Sequence, residues 1–321
     1  MTDEPKPLGD IISKIAAGIK PKKAKPVSRV NTRLIESSVA IQADDPETIL
    51  FQHSVFCQTS LPYRDPGQEA LVWERINGNI HLEVSAGKAM DPEKGRLVQL
   101  GLPWGAKPRL ILAHLNAEAL RTGSPVIEVE DSLTAFVKRL RLDSHGRNVR
   151  TIKDQLARLS ASRICLGIVA GGRALTINSQ VVTAFDIWFP KDERQRVLWP
   201  NTIQLSHEYF ESLQKHAVPL DDRAVSALSH SAMALDVYAW LAQRLHRVNP
   251  HKPQFVTWAA IKAQFGWHYG RMDNFKAAFR KTLSEVLTQY RAARIEMDDE
   301  GLRLRHSLPP IKGRIGLTPK A

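Results

Sequence analysis

The sequence predicts an α+β chain in which one order of elements is traversed twice: helix, strand, helix, helix, then two strands around a tight turn. Three observations carry this. Long segments repeat apolar residues at helical spacing, short extended runs are bounded by Gly, Asn and Asp, and the order of elements recurs without any recurrence of sequence. Of the 321 residues, 43% are hydrophobic and 24% charged, enough for a sizeable core. At about 100–200 residues per domain the length fits two domains and a tail. No run approaches the ~18 apolar residues of a membrane span, so no membrane partner is expected. The opening MTDEPKPLGD is acidic before it is apolar, unlike a secretory signal. Two cysteines, Cys57 and Cys165, build neither a disulfide framework nor a cysteine-rich zinc site, and reduced thiols fit a cytoplasmic chain.

Residues 1–45 read as a disordered basic tail. Six basic residues and no acid lie between Lys20 and Arg33, broken by Pro21 and Pro26. Such a stretch buries too little apolar surface to offset its ordering entropy. It is either an arm that touches a polyanion or a solubilising leader; Ile11 to Ile19 is a candidate short helix within it. Residues 46–100 form a β-hairpin entry segment packed on the first domain. Leu71–Ile76 and Ile80–Val84 flank Asn77-Gly78-Asn79, a hairpin turn, and Arg96–Leu100 adds a third extended run.

Residues 101–200 hold the first copy of the repeated order. Pro108 opens a helix that stops at Gly123, Val126–Glu130 is a strand, and Ser132 caps a short helix to Leu140. Gly146 precedes a basic helix to Ala161. Arg163–Val169, a turn at Ala170-Gly171-Gly172, and an extended stretch from Arg173 to Phe189 close it. After a Pro190–Pro200 connector, residues 201–308 hold the second copy. A strand enters a short helix by Gln214, and Asp221–His246 reads as one long helix. Gln254–Val256 is a strand, and Thr257–Phe265 and Met272–Arg291 are helices. Ala293–Met297 and Leu302–Arg305 pair around Asp298–Gly301. Residues 309–321 are a basic C-terminal tail. This order is that of the winged helix, a helix-turn-helix with a β-wing behind it, so the expected architecture is two winged-helix domains in tandem.

With 45 Lys and Arg against 33 Asp and Glu, the chain carries a formal charge of +12, which favours a polyanionic partner. From Lys138 to Arg173 nine basic residues face only Asp143 and Asp154. In the helix to Ala161, Val149, Ile152, Leu156 and Leu159 share the inward face. Arg147, Arg150, Thr151 and Arg158 fall opposite, with Lys153 on the flank. On the second long helix Phe275, Phe279, Leu283, Val286 and Tyr290 point inward. Asn274, Ala277, Lys281, Ser284 and Thr288 point outward, with Arg280 and Arg291 beside them. Asn, Lys and Arg on such a face can read base edges, though a solvated surface explains the same pattern. Arg173 in the first wing, and Arg303 and Arg305 in the second, are candidates for phosphate or minor-groove contact. For the tryptophans, and for Trp267-His268-Tyr269, core packing is the default and base stacking the alternative.

Catalytic patterns are missing. Gly101-Leu-Pro-Trp-Gly105-Ala-Lys107-Pro108 has the wrong spacing for a phosphate loop, no two histidines are spaced His-x-His, and His207-Glu208 does not continue as His-Glu-x-x-His. Asp221/Asp222 and Asp298/Asp299 fit a helix cap and a turn tip. Gly-x-Ser-x-Gly is absent. A non-enzyme without catalytic residues, metal or cofactor is expected, with a nickase or primase as the distant alternative.

Several long blocks carry a resemblance. Phe51–Arg64 (FQHSVFCQTSLPYR), Gly101–Leu140, Ile152–Ala161, Ala184–Pro200 (AFDIWFPKDERQRVLWP), Leu235–Val248 (LDVYAWLAQRLHRV) and Phe265–Leu283 (FGWHYGRMDNFKAAFRKTL) resemble plasmid-encoded RepA replication proteins, over roughly residues 50 to 310. The resemblance implies an initiator in the bacterial cytoplasm that binds origin repeats (iterons) in double-stranded plasmid DNA. It further implies opening of an adjacent A·T-rich region and help in loading the host helicase. Many such initiators use two winged-helix domains. Host initiator proteins and a second copy of the chain, as a homodimer, are the further partners to expect. A transcriptional regulator built from the same parts is the main alternative.

Overall fold

In the computed structural model of the chain, residues 28–91, 94–130, 132–170, 172–184 and 202–311 are described. The expectation of a disordered tail to residue 45 is corrected at once by helix α1, Arg29–Ala43. Ser28 caps it by accepting from the Asn31 amide. Val30, Leu34, Ser37 and Ile41 make a helical stripe that the charge and the prolines concealed. Leu34 is buried and its carbonyl accepts from Gln289, while Ser37 donates to the Arg223 carbonyl at 2.9 Å. The lysines from Lys20 to Lys25 and the candidate helix at Ile11–Ile19 lie outside the described residues.

The α+β expectation holds: helices alternate with five small antiparallel sheets among the described residues. Strand β1 (Ile49–His53) leads into the short helix α2 (Ser54–Gln58), whose first turn is capped by the His53 ring. Strands β2 (Val72–Asn77) and β3 (Ile80–Ser85) form the hairpin read from Asn77-Gly78-Asn79, and Gly78 takes the left-handed φ of +60° that the turn requires. The third run does not join them. Strand β5 (Arg96–Gln99) pairs with β4 (Lys88–Asp91) as a separate hairpin.

Next come α3 (Ala106–Thr122), β6 (Val126–Glu128), α4 (Leu133–Arg139) and α5 (Gly146–Ala161). Strands β7 (Arg163–Ala170) and β8 (Arg173–Gln180) then fold back on each other. Strand β3 adds to the edge of β7, from Ile80 opposite Ile168 to Ser85 opposite Arg163, so the sheet order is β2-β3-β7-β8. Strand β9 (Val182–Ala184) continues from β8 into a different sheet, β6-β10-β9, whose middle strand is β10 (Thr202–Leu205).

The boundary drawn at residues 200 and 201 therefore does not part the sheets. Ile203 and Leu205 of β10 are fully buried between Ile127 of β6 and Val182 of β9. Strand β11 (Ala217–Asp221), which comes after α6 (His207–His216), pairs with β1 near the start of the chain. The expected single helix from Asp221 to His246 is also corrected. Asp221 ends β11 and caps α7 (Asp222–Leu228), and Ser231 caps α8 (Ala232–Arg244), with a turn between them. The turn is the polar Ser229-His230-Ser231, a stretch that the exposed face of one long helix could equally carry, so periodicity alone gave no break. The connector, with Trp188, Phe189 and Trp199, lies outside the described residues.

The last elements are β12 (Gln254–Thr257), α9 (Trp258–Phe265), α10 (Met272–Gln289), β13 (Ile295–Met297) and β14 (Gly301–Leu304), with sheet order β12-β14-β13. The expected basic tail from residue 309 is docked over its first residues: Ile311 is buried, and just before it Tyr290 donates to the Leu308 carbonyl at 2.8 Å. Residues 312–321 lie outside the described ones.

One hydrophobic core runs through both halves. Its axis is α3 and α8, each buried on nearly every face. They are joined by a buried ion pair. Arg109 Nε and Nη2 donate to the two carboxylate oxygens of Asp236 at 2.6 and 2.8 Å. The same guanidinium donates to the carbonyls of Gly105 and Leu61 at 2.5 and 2.8 Å. Every strong donor direction thus has an acceptor, the condition under which a buried charge pair is tolerated.

Candidate nucleic-acid interface

Helix α5 is amphipathic because apolar residues fall at 149, 152, 156 and 159. Ile152, Leu156 and Leu159 are buried and Val149 half-buried. The face opposite carries Arg147 and Arg150, both exposed. Thr151 is half-buried and spends its hydroxyl on the Arg147 carbonyl at 2.8 Å. Lys153 is half-buried on the flank, and burial pulls its ammonium below the ordinary lysine range.

Arg158 is a correction. Its side chain is only 11% exposed and is held at 3.0 Å by Asp154, one turn earlier. Its Nη1 donates to the Leu102 carbonyl at 3.3 Å, and Asp65 stands 3.9 Å away. It fastens α5 to the loop before α3 and is not on the open face. Helical spacing placed it outward because the loop at Leu102 lies over that end of the helix. Arg173 opens β8 opposite Ala170, and its side chain lies outside the described ones.

On α10 the inward stripe is buried from Phe275 to Tyr290. Asn274, Lys281 and Ser284 are exposed on the other side. Arg280 is also exposed, 3.7 Å from Asp299 with its guanidinium 5.6 Å from the Trp258 ring. Toward the C-terminal end α1 closes in. Arg291 donates to Gln42 of α1, and Ser284, Leu287, Thr288 and Ser38 line a groove of about 510 Å³. Only the N-terminal half of α10 is therefore free of α1.

Arg303 and Arg305 are spoken for within the β12-β14-β13 sheet and its turn. Arg305 holds Glu296 at 2.8 Å, which keeps that carboxylate below its usual range. Arg303 lies 3.6 Å from Asp298, whose carboxyl is lowered by the amides of Gly301 and Glu300 and by Arg303. As bare phosphate ligands they are weaker candidates than sequence suggested, since an anion would have to compete with these acids.

Core packing is the right reading for Trp240 and Trp258, both almost fully buried. Trp267 is different: it is 36% exposed and packs edge-on against Trp73 of β2, ring centres 4.7 Å apart. Sequence reasoning missed that pairing and with it Arg75, because nothing local links residues 73 and 75 to residue 267. Sequence reasoning also passed over Lys276, which donates to the Asp299 carbonyl at 2.9 Å and lies over Trp258. Among the described residues no three His, Cys, Asp or Glu side chains gather as a metal site, and no helix is long and apolar enough to cross a membrane.

Comparison with known proteins bears on this geometry. Two solved structures of domains 2 and 3 of RctB are similar to the chain. One is 8% identical, with a TM-score of 0.44, and covers 76% of this chain and 94% of that one. The other is 10% identical, with a TM-score of 0.44, and covers 84% and 96%. Comparison with curated proteins gives no match. A family model described as "Plasmid encoded RepA protein" matches residues 102–260. That segment takes in α3, α5, α8, and both partners of the Arg109–Asp236 pair, and stops before α10. Over that segment the chain matches the plasmid-encoded RepA family of plasmid replication proteins.

Proposed function

We propose that the chain initiates plasmid replication by binding repeated sequences in duplex origin DNA through two winged-helix modules. The first module is α3 to β8, with α5 as its reading helix. The second is α8 to β14, with α10 in that role. The observation that carries the reading is the pair Arg147 and Arg150 on the open face of α5, inside the segment that matches the RepA family. The sheet order β12-β14-β13, in which the last strand returns between the other two, supports the second module.

The mechanism is mechanical and no bond is made or broken by the protein. Arginines on α5 and lysine and asparagine on α10 contact the duplex, and displaced counterions supply much of the affinity. Because α3 and α8 share one core, the two reading helices meet DNA at a fixed separation. Copies on adjacent repeats would strain the duplex, and an A·T-rich block yields most easily. Host helicase is then recruited to the open strand.

The test uses the DNA beside the gene. A fragment with direct repeats is expected to shift with the wild-type protein and to shift far less with Arg147→Ala/Arg150→Ala, at unchanged thermal stability. The same gene and DNA on a marker cassette should yield replicating transformants. Tight repeat binding without any transformants would favour a transcriptional regulator, and equal binding by the double variant would remove α5 from the interface.

A further inference from the structure

Helix α1 meets α10 along a groove of about 510 Å³. Leu283, buried, and Leu287, half-buried, lie at its base, while Ser38, Ser284 and Thr288 are small enough to admit a further backbone close by. Met297 at its edge is 43% exposed. On α1, Ile35 and Val39 follow Ser38 and Gln42 around the helix toward the outside and are 59% and 61% exposed. Val30, Leu34 and Ile41 already hold α1 to the core, so Ile35 and Val39 are not needed for that contact. Apolar side chains gathered beside a groove in this way mark a docking surface.

The chain itself holds a segment that fits. Leu8, Ile11, Ile12, Ile15 and Ile19 recur at i, i+3, i+4, i+7 and i+11, one stripe of an amphipathic helix, with Asp10, Ser13, Lys14 and Ala17 opposite. A helix this short is marginal in water by itself, so the stripe calls for a surface to lie on. From Leu8 to Ile19 it would run about 17 Å, the same as α10 from Arg280 to Arg291, the two residues that bound the groove. The reach is sufficient. Lys20 to Val27 can span up to about 28 Å, whereas Ser38 stands about 15 Å along α1 from Ser28. Charge agrees as well. Arg280, Lys281 and Arg291 are exposed at the rim, where Arg280 has only the exposed Asp299 at 3.7 Å and Arg291 has the neutral Gln42. Asp3, Glu4 and Asp10 lie in the first ten residues against Lys6 alone, while every charge from Lys14 to Arg33 is positive.

We propose that the groove between α1 and α10 seats the chain's own residues 8–19 as a helix, and that the seated segment keeps duplex DNA off the C-terminal half of α10. The seat stands on the groove and the stripe; the block rests on the duplex-binding reading of α10. Arg280, Ser284 and Arg291, which that reading offers to DNA, border the same groove, so segment and duplex exclude each other there. The acids at the start of the segment then face cations that would otherwise meet backbone phosphates. Duplex binding must displace the segment, and the apparent affinity falls in proportion to the fraction of molecules left open.

The seat is tested in the full chain by a disulfide. Ile15→Cys and Ser284→Cys, with Cys165→Ser to leave only the buried Cys57, are oxidised with copper phenanthroline at low protein concentration. Limited trypsin then cuts in the run from Lys20 to Lys25, and the N-terminal peptide is expected to stay bonded to the rest until a reductant is added. Thr176→Cys on β8, also exposed, should give little bond in place of Ser284→Cys. Equal bonding at both sites, or none at Ser284→Cys, overturns the seat. A bond that joins two chains overturns it in favour of a second copy's segment. The block is read by fluorescence anisotropy on a duplex of the DNA beside the gene. With about nine-tenths of molecules docked, Ile12→Asp/Ile15→Asp should bind that duplex about 10-fold more tightly, and so should Ile35→Asp beside the groove. Combining them should add little, since either empties the seat. Both add negative charge, which without a block would weaken binding or leave it alone, and that result overturns the block. If neither the wild type nor these variants bind the duplex, the duplex-binding reading falls and the block with it, while the disulfide still decides the seat.

Discussion

Replacing Asp236 with alanine strips both carboxylate acceptors from Arg109, in a place where the two side chains are only 5% and 8% exposed. The guanidinium keeps the Gly105 and Leu61 carbonyls but loses its only buried counter-charge among the described residues. Breaking one partner out of a buried pair costs about 3–5 kcal/mol. Against a total stability of about 5–15 kcal/mol, that is a large share. At roughly 2–4 °C per kcal/mol the thermal midpoint should fall by about 10 °C. Urea unfolding followed by both far-ultraviolet circular dichroism and tryptophan fluorescence is the direct assay. Because the pair joins α3 to α8, which are far apart in the chain but share one core, the two signals should move together in one transition. Arg109→Leu/Asp236→Leu should cost less than the sum of the single changes, since it leaves no buried charge behind. A loss below about 1 kcal/mol, or two transitions of which only one moves, would refute the view that this pair ties α3 to α8.

Three further outcomes are expected. Burial, and the neighbouring His216, hold the His53 imidazole down at about 3, and burial holds His114 at about 4. Both lie below the ordinary histidine value, so the unfolded chain takes up protons first. Stability is full above about pH 6.5 and erodes as pH falls toward 4, by about 2 kcal/mol at pH 5 for His53 alone. Denaturation across pH should show this slope, and His53→Gln should flatten it. Leu34→Ala should cost about 2–3 kcal/mol and expose α1 to limited proteolysis, with unchanged cleavage contradicting its docked state. Arg158→Ala should cost about 1–3 kcal/mol while leaving the salt slope of DNA binding intact. Loss of the slope at full stability would return Arg158 to the interface.

Much of this fold was legible because its signals are local. The turn at Asn77-Gly78-Asn79, the stop at Gly123, the inward stripes of α5 and α10 and the β13–β14 hairpin each depend on residues within a few positions. Three features were not legible, and two of them are long-range. Strand β11 has no distinctive pattern and exists because β1 lies beside it. Helix α1 looked like tail because its stripe is sparse and its partners are at Arg223 and Gln289. The break between α7 and α8 is a capping event at Ser231, in a polar Ser-His-Ser stretch that reads as well as the surface of one continuous helix. The candidate interface divides in the same way. Helical spacing placed Arg147 and Arg150 correctly on the open side, but it could not see that Leu102 covers Arg158 or that acids answer Arg303 and Arg305. Arg75 carried no signal in sequence at all.

The central place of β10 between β6 and β9 bears on how the chain is made. While the ribosome is still short of Leu205, the first half of the chain has both outer strands of that sheet and nothing between them. Strand β1 waits longer, until Asp221 has emerged. Pairings this distant in sequence close slowly and leave apolar strand edges bare in the meantime. The nascent first half is thus the species a chaperone would have to shelter, and truncating the gene anywhere before residue 221 should yield an aggregating fragment rather than a smaller folded protein.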